Sequence, residues 1–271
     1  MTKVKIIGGI GNQLFQYFFA RSLKLKFNIN VELDLSDFEI YKLHQYNLNN
    51  FLKLKLPVSK NRYSFIKLFL KKKRENDPFK FDKTIFKKKN FSYYDGYWQS
   101  YKYFDKYWYI FKNDFKFDNR YTNSQILNKI KNSNSVAIHI RRGDYVNNSR
   151  TSKFHGNLDL KYYNKSIKFF ENKYKNIKFF FFSDDINWVK KKFNNKKYHF
   201  IENDRKKIKM PIGDLILMKN CKHNIIANST FSWWGAWLNE NKNKIVCVPK
   251  YWTAKRQITD TDLIPNNWKI I

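Results

Sequence analysis

Two adjacent arginines, Arg141 and Arg142, directly follow an apolar run, Val136 to Ile140, in the segment His139-Ile140-Arg141-Arg142-Gly143-Asp144. Guanidinium groups grip phosphate oxygens as a bidentate fork and keep their charge at any physiological pH. Paired at the carboxyl end of a buried strand, they suit a pyrophosphate better than they suit plain surface. The other reading is a charge knot in which Asp144 neutralises one of them. His155-Gly156 comes in the loop that follows. A histidine there is either structural or an acid/base group for a reacting hydroxyl.

Four further segments could carry chemistry. Gly8-Gly9-Ile10-Gly11-Asn12-Gln13 lies between a strand and a helix, where bare backbone lets a phosphate or sugar approach the helix N-terminus. An ordinary glycine turn has the same sequence. A dinucleotide fingerprint is excluded, because Leu14 stands where the third glycine belongs. Ser183-Asp184-Asp185 reads as a helix cap in preference to a metal pair, since no third ligand accompanies it. Gly213-Asp214 opens a helix, where the dipole favours an acid. Asn228-Ser229-Thr230-Phe231-Ser232 also leads into a helix, and hydroxyls beside N-terminal N–H groups make a phosphate site. The tryptophans that follow, Trp233, Trp234 and Trp237, read as packing.

These segments need strand ends to hold them. Val4 to Ile7, a helix over 12–27 with Leu14, Phe15, Phe18 and Phe19 at helical spacing, and Val31 to Leu35 make a βαβ opening. Residues 38–82 are Lys-rich with amphipathic pieces and predict helices. From Val136 onward, short apolar strands alternate with helices: strands at 136–140, 178–182, 198–201, 224–227 and 244–248, the last being the final strand. Helices are expected over 160–173, 186–193, 213–221 and 230–239. That rhythm predicts a parallel sheet covered on both faces, with ligands at the carboxyl ends of its strands. The polar stretch 113–135 marks a boundary, giving domains 1–125 and 126–271.

Composition bounds the partners. The formal net charge is +32 over 271 residues, with 19% aromatic and 42% hydrophobic content. Such charge invites a nucleic-acid reading. Lysines are nonetheless spread along the whole chain and no reader motif accompanies them, so solvated surface is the favoured reading. The charge would still draw acidic membrane surfaces. Cys221 and Cys247 sit in apolar segments outside any zinc spacing and read as buried thiols in a reducing compartment. No leader and no spanning run is visible, which predicts a cytoplasmic protein, peripheral at most to the inner face of a membrane.

Taken in order, GGIGNQLFQY at 8–17, GYWQSYKYF at 96–104 and HIRRGDYV at 139–146 resemble glycosyltransferase family 11, the α-1,2-fucosyltransferases. HGNL at 155–158, FFSDDINWV at 181–189 and ANSTFSWWGAWL at 227–238 extend the likeness over nearly the whole chain, with little of it in 38–90. The resemblance implies an α/β fold of GT-B type, two Rossmann-like domains with a parallel sheet each, facing across a cleft. It implies inverting transfer of L-fucose from GDP-fucose to O2 of a terminal galactose in an oligosaccharide or lipopolysaccharide acceptor, with no metal and no other cofactor. On that likeness Arg141, helped by Arg142, contacts the donor phosphates, and His139 and Asp214 hold the guanosine half. Ser229, Thr230 and Ser232 add phosphate hydrogen bonds, while Asn12 and Gln13 reach the donor from the other domain. Asp144 and His155 are both candidates for the general base. Fucosyl transfer in another linkage, or a basic nucleic-acid-binding protein, are the competing readings.

Overall fold

The computed structural model describes residues 2–60, 69–87, 90–143, 153–154, 156, 158–202 and 212–271. The chain divides into two units, Met1–Phe117 with Thr261–Pro265 and Asp118–Asp260 with Asn266–Ile271. The division falls eight residues before the boundary expected from composition (117 against 125). The helix Ser124–Lys131 belongs wholly to the second unit. A short C-terminal segment also returns to the first, where the Asp262 carboxylate accepts from the Phe81 N–H and pairs with Lys102.

In the first unit, β1 (Thr2–Lys5) leads through α1 (Ile10–Phe27) to β2 (Val31–Asp34). Strands β3 (Val58–Ser59), β4 (Lys71–Arg74) and β5 (Ser92–Asp95) complete a parallel sheet in the order β3-β2-β1-β5-β4. Helix α1 is buried along most of its length, with Leu14, Phe15, Phe18 and Phe19 fully enclosed. It stops at Asn28, whose left-handed φ of 48 ends the helix as such caps commonly do. Phe19 stacks on Trp98 at 4.3 Å with the rings 7° apart. A short helix α2 (Trp108–Phe111) follows. Of the helices expected over 38–82, the described residues show a helical Phe69 and the short 3-10 turns Ser36–Glu39 and Leu48–Asn50, while 61–68 lie outside them. Lys71–Arg74 is instead an edge strand paired with β5. With one side unpaired and its lysines turned to solvent, it needs no apolar alternation, and charge protects such an edge.

The second unit opens with α3 (Ser124–Lys131), capped by the Asn123 side chain, and runs into β6 (Asn134–Ile140). There follow α4 (Leu160–Lys173), β7 (Ile177–Ser183), α5 (Ile186–Lys192), β8 (Tyr198–Phe200) and α6 (Ile212–Asn220). Then come β9 (His223–Ile225), α7 (Thr230–Trp237), β10 (Val246–Val248) and β11 (Lys269–Ile270). The sheet order is β11-β10-β9-β6-β7-β8, all parallel. The two-residue β11 lies beyond the strand expected to be last. Val136, Ile138, Ile140, Phe179 and Phe181 pack with Tyr162, Tyr163, Ile167 and Phe170 of α4. Residues on a strand alternate faces, so His139 points to the opposite side, where its ring lies 5.6 Å from Phe231. Trp233 and Trp234 are fully buried and Trp237 stacks on Trp233, as packing requires.

A buried histidine makes this unit acid-sensitive. His223 is 3% exposed, and its Nδ1 accepts from the Ile245 N–H at 3.1 Å, a bond only the neutral ring can make. Burial, with Lys222 and Lys173 adding positive charge, pushes its pKa down to about 4. The folded value lies below the ordinary value of about 6.5, so the stability is complete above pH 6.5 and is lost as pH falls towards 4. The expected loss is about 3 kcal/mol. Urea titrations at pH 7, 5.5 and 4 should show it in the wild type and not in His223→Gln. Equal pH slopes in the two proteins would refute the assignment.

Candidate active site

Strand order locates the crevice of the second unit. The chain moves from β6 outward through β7 and β8, then returns to β9 on the other side of β6. Ligands on parallel sheets bind at such a reversal, beyond the strand carboxyl ends. Ile138 pairs with Ile225 and Ile140 with Ser183. Continuing both registers sets Arg141 level with Asn228 on one side and Asp184 on the other.

Asp184 organises the arginine loop. Its Oδ1 accepts from the Arg142 N–H at 2.8 Å and its Oδ2 pairs with Arg141 Nη1 at 2.9 Å. A Cβ added at Gly143 would stand 2.8 Å from Asp184 Oδ2, so this approach requires glycine. Burial opposes ionisation of Asp184, but Arg141 and the Arg142 and Gly143 N–H groups outweigh it and hold the carboxyl below its usual range. Arg142 is engaged elsewhere: its Nε lies 3.3 Å from Asp185 Oδ2 and its guanidinium sits 3.7 Å above the Trp188 ring. One arginine is therefore aimed and the other is a strut. Asp185 caps α5 through the Trp188 N–H, as the sequence suggested. Asp184, included in that same capping segment, does different work.

Beside this loop, Ser229 holds the N-cap position of α7 in extended conformation, without a side-chain cap bond. Ser232 is buried and its Oγ donates to carbonyls of its own turn, at Ser229 and Ala227, so it shapes the turn. Thr230 is half-buried at the first position of α7. Asn228 donates to the Trp252 carbonyl. His139 is 5% exposed, on the face towards α7. Asp214 is buried in the first turn of α6. The preceding Gly213 lies against the Tyr121 carbonyl so closely that an added Cβ would meet it at 2.2 Å. Asp144 and His155 lie outside the described residues.

The first unit has a reversal of its own between β1 and β5. Gly8 takes φ +87, which brings the glycine turn against the Asn12 side chain. Asn12 accepts from Gln99 Nε2 at 3.0 Å. Gln13 is fully buried, its Nε2 donating to the carbonyls of Gly8 and Gln45 and its Oε1 accepting from the Asn47 N–H. Gln13 thus staples the turn to residues 45–47, and Asn12 ties it to Gln99. Sequence reasoning weighed Asp184 only as part of a cap or a metal pair and missed its hold on Arg141. Two acids after one apolar strand and two arginines after its neighbour were the signal that could have shown it.

A model of glycosyl transferase family 11 matches residues 1–271. An alpha-1,2-colitosyltransferase of Escherichia coli is 33% identical over 279 residues, spanning 97% of this chain and 96% of that protein. The O-antigen biosynthesis glycosyltransferase WbnK of Escherichia coli is 41% identical over 124 residues, 46% of this chain and 41% of that one. Among solved structures, the fucosyltransferase NodZ from Bradyrhizobium superposes with a TM-score of 0.51 at 12% identity, over 86% of this chain and 91% of its own. The NodZ alpha-1,6-fucosyltransferase co-crystallized with GDP gives the same TM-score and identity, over 86% and 90%. At such identity the likeness speaks to the fold, and it agrees with an α/β chain of GT-B type carrying two parallel sheets.

Proposed function

The chain belongs to glycosyl transferase family 11, and from that membership we propose that it transfers L-fucose from GDP-fucose, with inversion, to O2 of a terminal galactose on a glycan acceptor. The observation that supports this most is Arg141, aimed by Asp184 at the strand reversal beside the first turn of α7. As the glycosidic bond to phosphate breaks, negative charge gathers on the departing β-phosphate. Fixed cations and N–H groups already in place stabilise that charge without reorganising. Arg141 and the N-terminal amides of α7 with Ser229 and Thr230 supply them in this reading. Asp214, a carboxylate in the first turn of α6, suits the N1–H and N2 amino donors of guanine, with His139 beside the nucleotide.

The reading is metal-independent, because guanidinium and helix amides take the place of a divalent ion. Turnover of GDP-fucose with lactose or N-acetyllactosamine, followed by linkage analysis of the product, tests donor, acceptor and linkage together. Activity is expected to be the same with and without EDTA. A loss restored by Mn²⁺ would overturn the metal-free mechanism.

One observation favours a second donor. A relative 33% identical over nearly the whole chain is an alpha-1,2-colitosyltransferase. Colitose is L-fucose lacking the C3 hydroxyl, so the same nucleotide site would serve both sugars. A site that hydrogen-bonds the C3 hydroxyl rejects the deoxy sugar strongly, whereas an apolar site there discriminates weakly. Competition between the two GDP-sugars at equal concentration decides which donor is used. The proposal extends to peripheral residence on an acidic membrane face, supported by the +32 charge and by the lack of a membrane-crossing helix among the described residues.

A further inference from the structure

In the first unit the charged side chains are sorted along the strands. Strands β2 and β5 end in Asp34 and Asp95, and β4 is followed by Glu75 and Asp77. Lys5, the last residue of β1, pairs with Asp37 and Asp95 at that same carboxyl end. The amino end has the opposite character. The connections that lead into the five strands lie within residues 1–31, 40–74 and 83–94, which contain no Asp or Glu. Glu32, inside β2, is taken up by Lys3 at 3.1 Å. Asp82 stands on the flank, where Lys87 helps to hold its pKa down. Lys26, Lys71 and Lys87 are exposed.

Two phenylalanines stand in this basic setting. Phe69, two residues before β4, is 83% exposed, and Phe91, one residue before β5, is 64% exposed. The Lys71 N–H donates to the Phe91 carbonyl at 2.9 Å and Lys71 pairs with Ser92, so both phenylalanines start from one corner of the sheet. The last turn of α1 reaches the same end. Leu25 is 39% exposed there, and Lys26 Nζ lies 4.4 Å over the ring of Phe86, the residue before Lys87. Phe91 has a left-handed φ of 54, where an aromatic residue is a rare occupant. In water an exposed ring offsets none of that strain.

Resting on the peripheral membrane residence proposed above, we infer that the amino end of the first sheet is the docking face and that its partner is the surface of an anionic bilayer. Phe69 and Phe91 enter the boundary between headgroups and acyl chains, while Lys26, Lys71 and Lys87 lie at the level of the lipid phosphates. Apolar side chains flanked by lysines hold such a surface by adding buried area to charge attraction. A single exposed ring needs no explanation, but two at one corner of an acid-free end do. The acidic carboxyl end, where Gly8 and Asn12 form their turn, stays in water, clear of the negative lipid. A soluble polyanion would use the lysines and leave the rings idle.

Co-sedimentation of the full chain with vesicles of phosphatidylcholine and phosphatidylglycerol tests this. The wild type should bind them, bind more weakly as salt rises, and bind vesicles of phosphatidylcholine alone far less. Phe69→Ser and Phe91→Asn should each lower the partition coefficient roughly tenfold, the effect of withdrawing one buried ring. Asparagine accepts the left-handed backbone at 91, so that variant should unfold at the wild-type temperature and keep the comparison clean. Lys71→Gln with Lys87→Gln should lower the coefficient about fivefold per charge. Changing Lys190, Lys191 and Lys192 of the second unit to Gln removes more charge and should matter less. An unchanged coefficient in Phe69→Ser with Phe91→Asn, while the wild type binds, overturns this face and leaves membrane residence standing. Weakening by the lysine changes alone, with equal binding to an oligonucleotide, marks a site for a soluble polyanion and overturns the bilayer assignment. A wild type that ignores anionic vesicles even at low salt removes the membrane reading itself, and this inference with it.

Discussion

Arg141→Ala is expected to lower kcat for fucosyl transfer by about 10²–10³-fold, the scale for losing one preorganised donor to developing charge. On the proposed assignment the guanidinium meets the phosphates in the ground state as well, so the donor KM should rise with it. Arg141→Lys should recover only part of the loss, because an ammonium cannot keep the planar contact with Asp184 while facing an oxyanion. Asp184→Asn supplies the control. It leaves the guanidinium in place but removes the charge that aims it, along with one acceptor for the Arg142 and Gly143 N–H groups. Adding Asp184→Asn to Arg141→Ala should then cost no further activity, because an aiming group has nothing left to aim. Full additivity in that double-mutant cycle would separate the two residues, and near-normal turnover by Arg141→Ala would end the phosphate assignment. Arg142→Ala should act differently. Its stack on Trp188 and its contact with Asp185 make its loss a matter of loop order, seen in thermal stability before catalysis.

That distinction between the arginines was hidden in the sequence for a physical reason. Adjacent residues at a strand end point to opposite sides, and which one is taken up by neighbours depends on the register with the next strand. Strand β7 brings Asp184 and Asp185 level with Arg141 and Arg142 from 43 residues away. The apolar strands of the second unit were legible, because burial on both faces makes continuous hydrophobic runs. So were the helix that begins at Thr230 and its tryptophan packing. β4 was not, since an edge strand of Lys71-Lys72-Lys73-Arg74 has nothing apolar to report. Gln13 and Gln16 illustrate the same limit inside a helix. Both amides are fully buried, and their partners at Gly8, Gln45, Asn47, Ile7 and Gly96 are set by tertiary approach. The return of residues 261–265 to the first unit leaves no local trace either.

Asp114→Ala is expected to cost the first unit about 3–5 kcal/mol, the range for breaking a buried pair by removing one partner. Arg21 of α1 is 7% exposed and Asp114 2%, with Arg21 Nε 3.0 Å from Asp114 Oδ2. Tyr17 donates to the same oxygen at 3.1 Å while accepting from the Lys55 N–H, and Arg21 also lies over the Phe111 ring. Without the carboxylate, a guanidinium stays enclosed with no counter-charge, and the Tyr17 hydroxyl loses its acceptor. The pair's net worth is a separate matter, because desolvating two charges offsets much of their attraction. Arg21→Met with Asp114→Leu should therefore regain most of what either single change loses, in urea titrations at pH 7. A single Asp114→Ala costing under 1 kcal/mol would show that water reaches the pair.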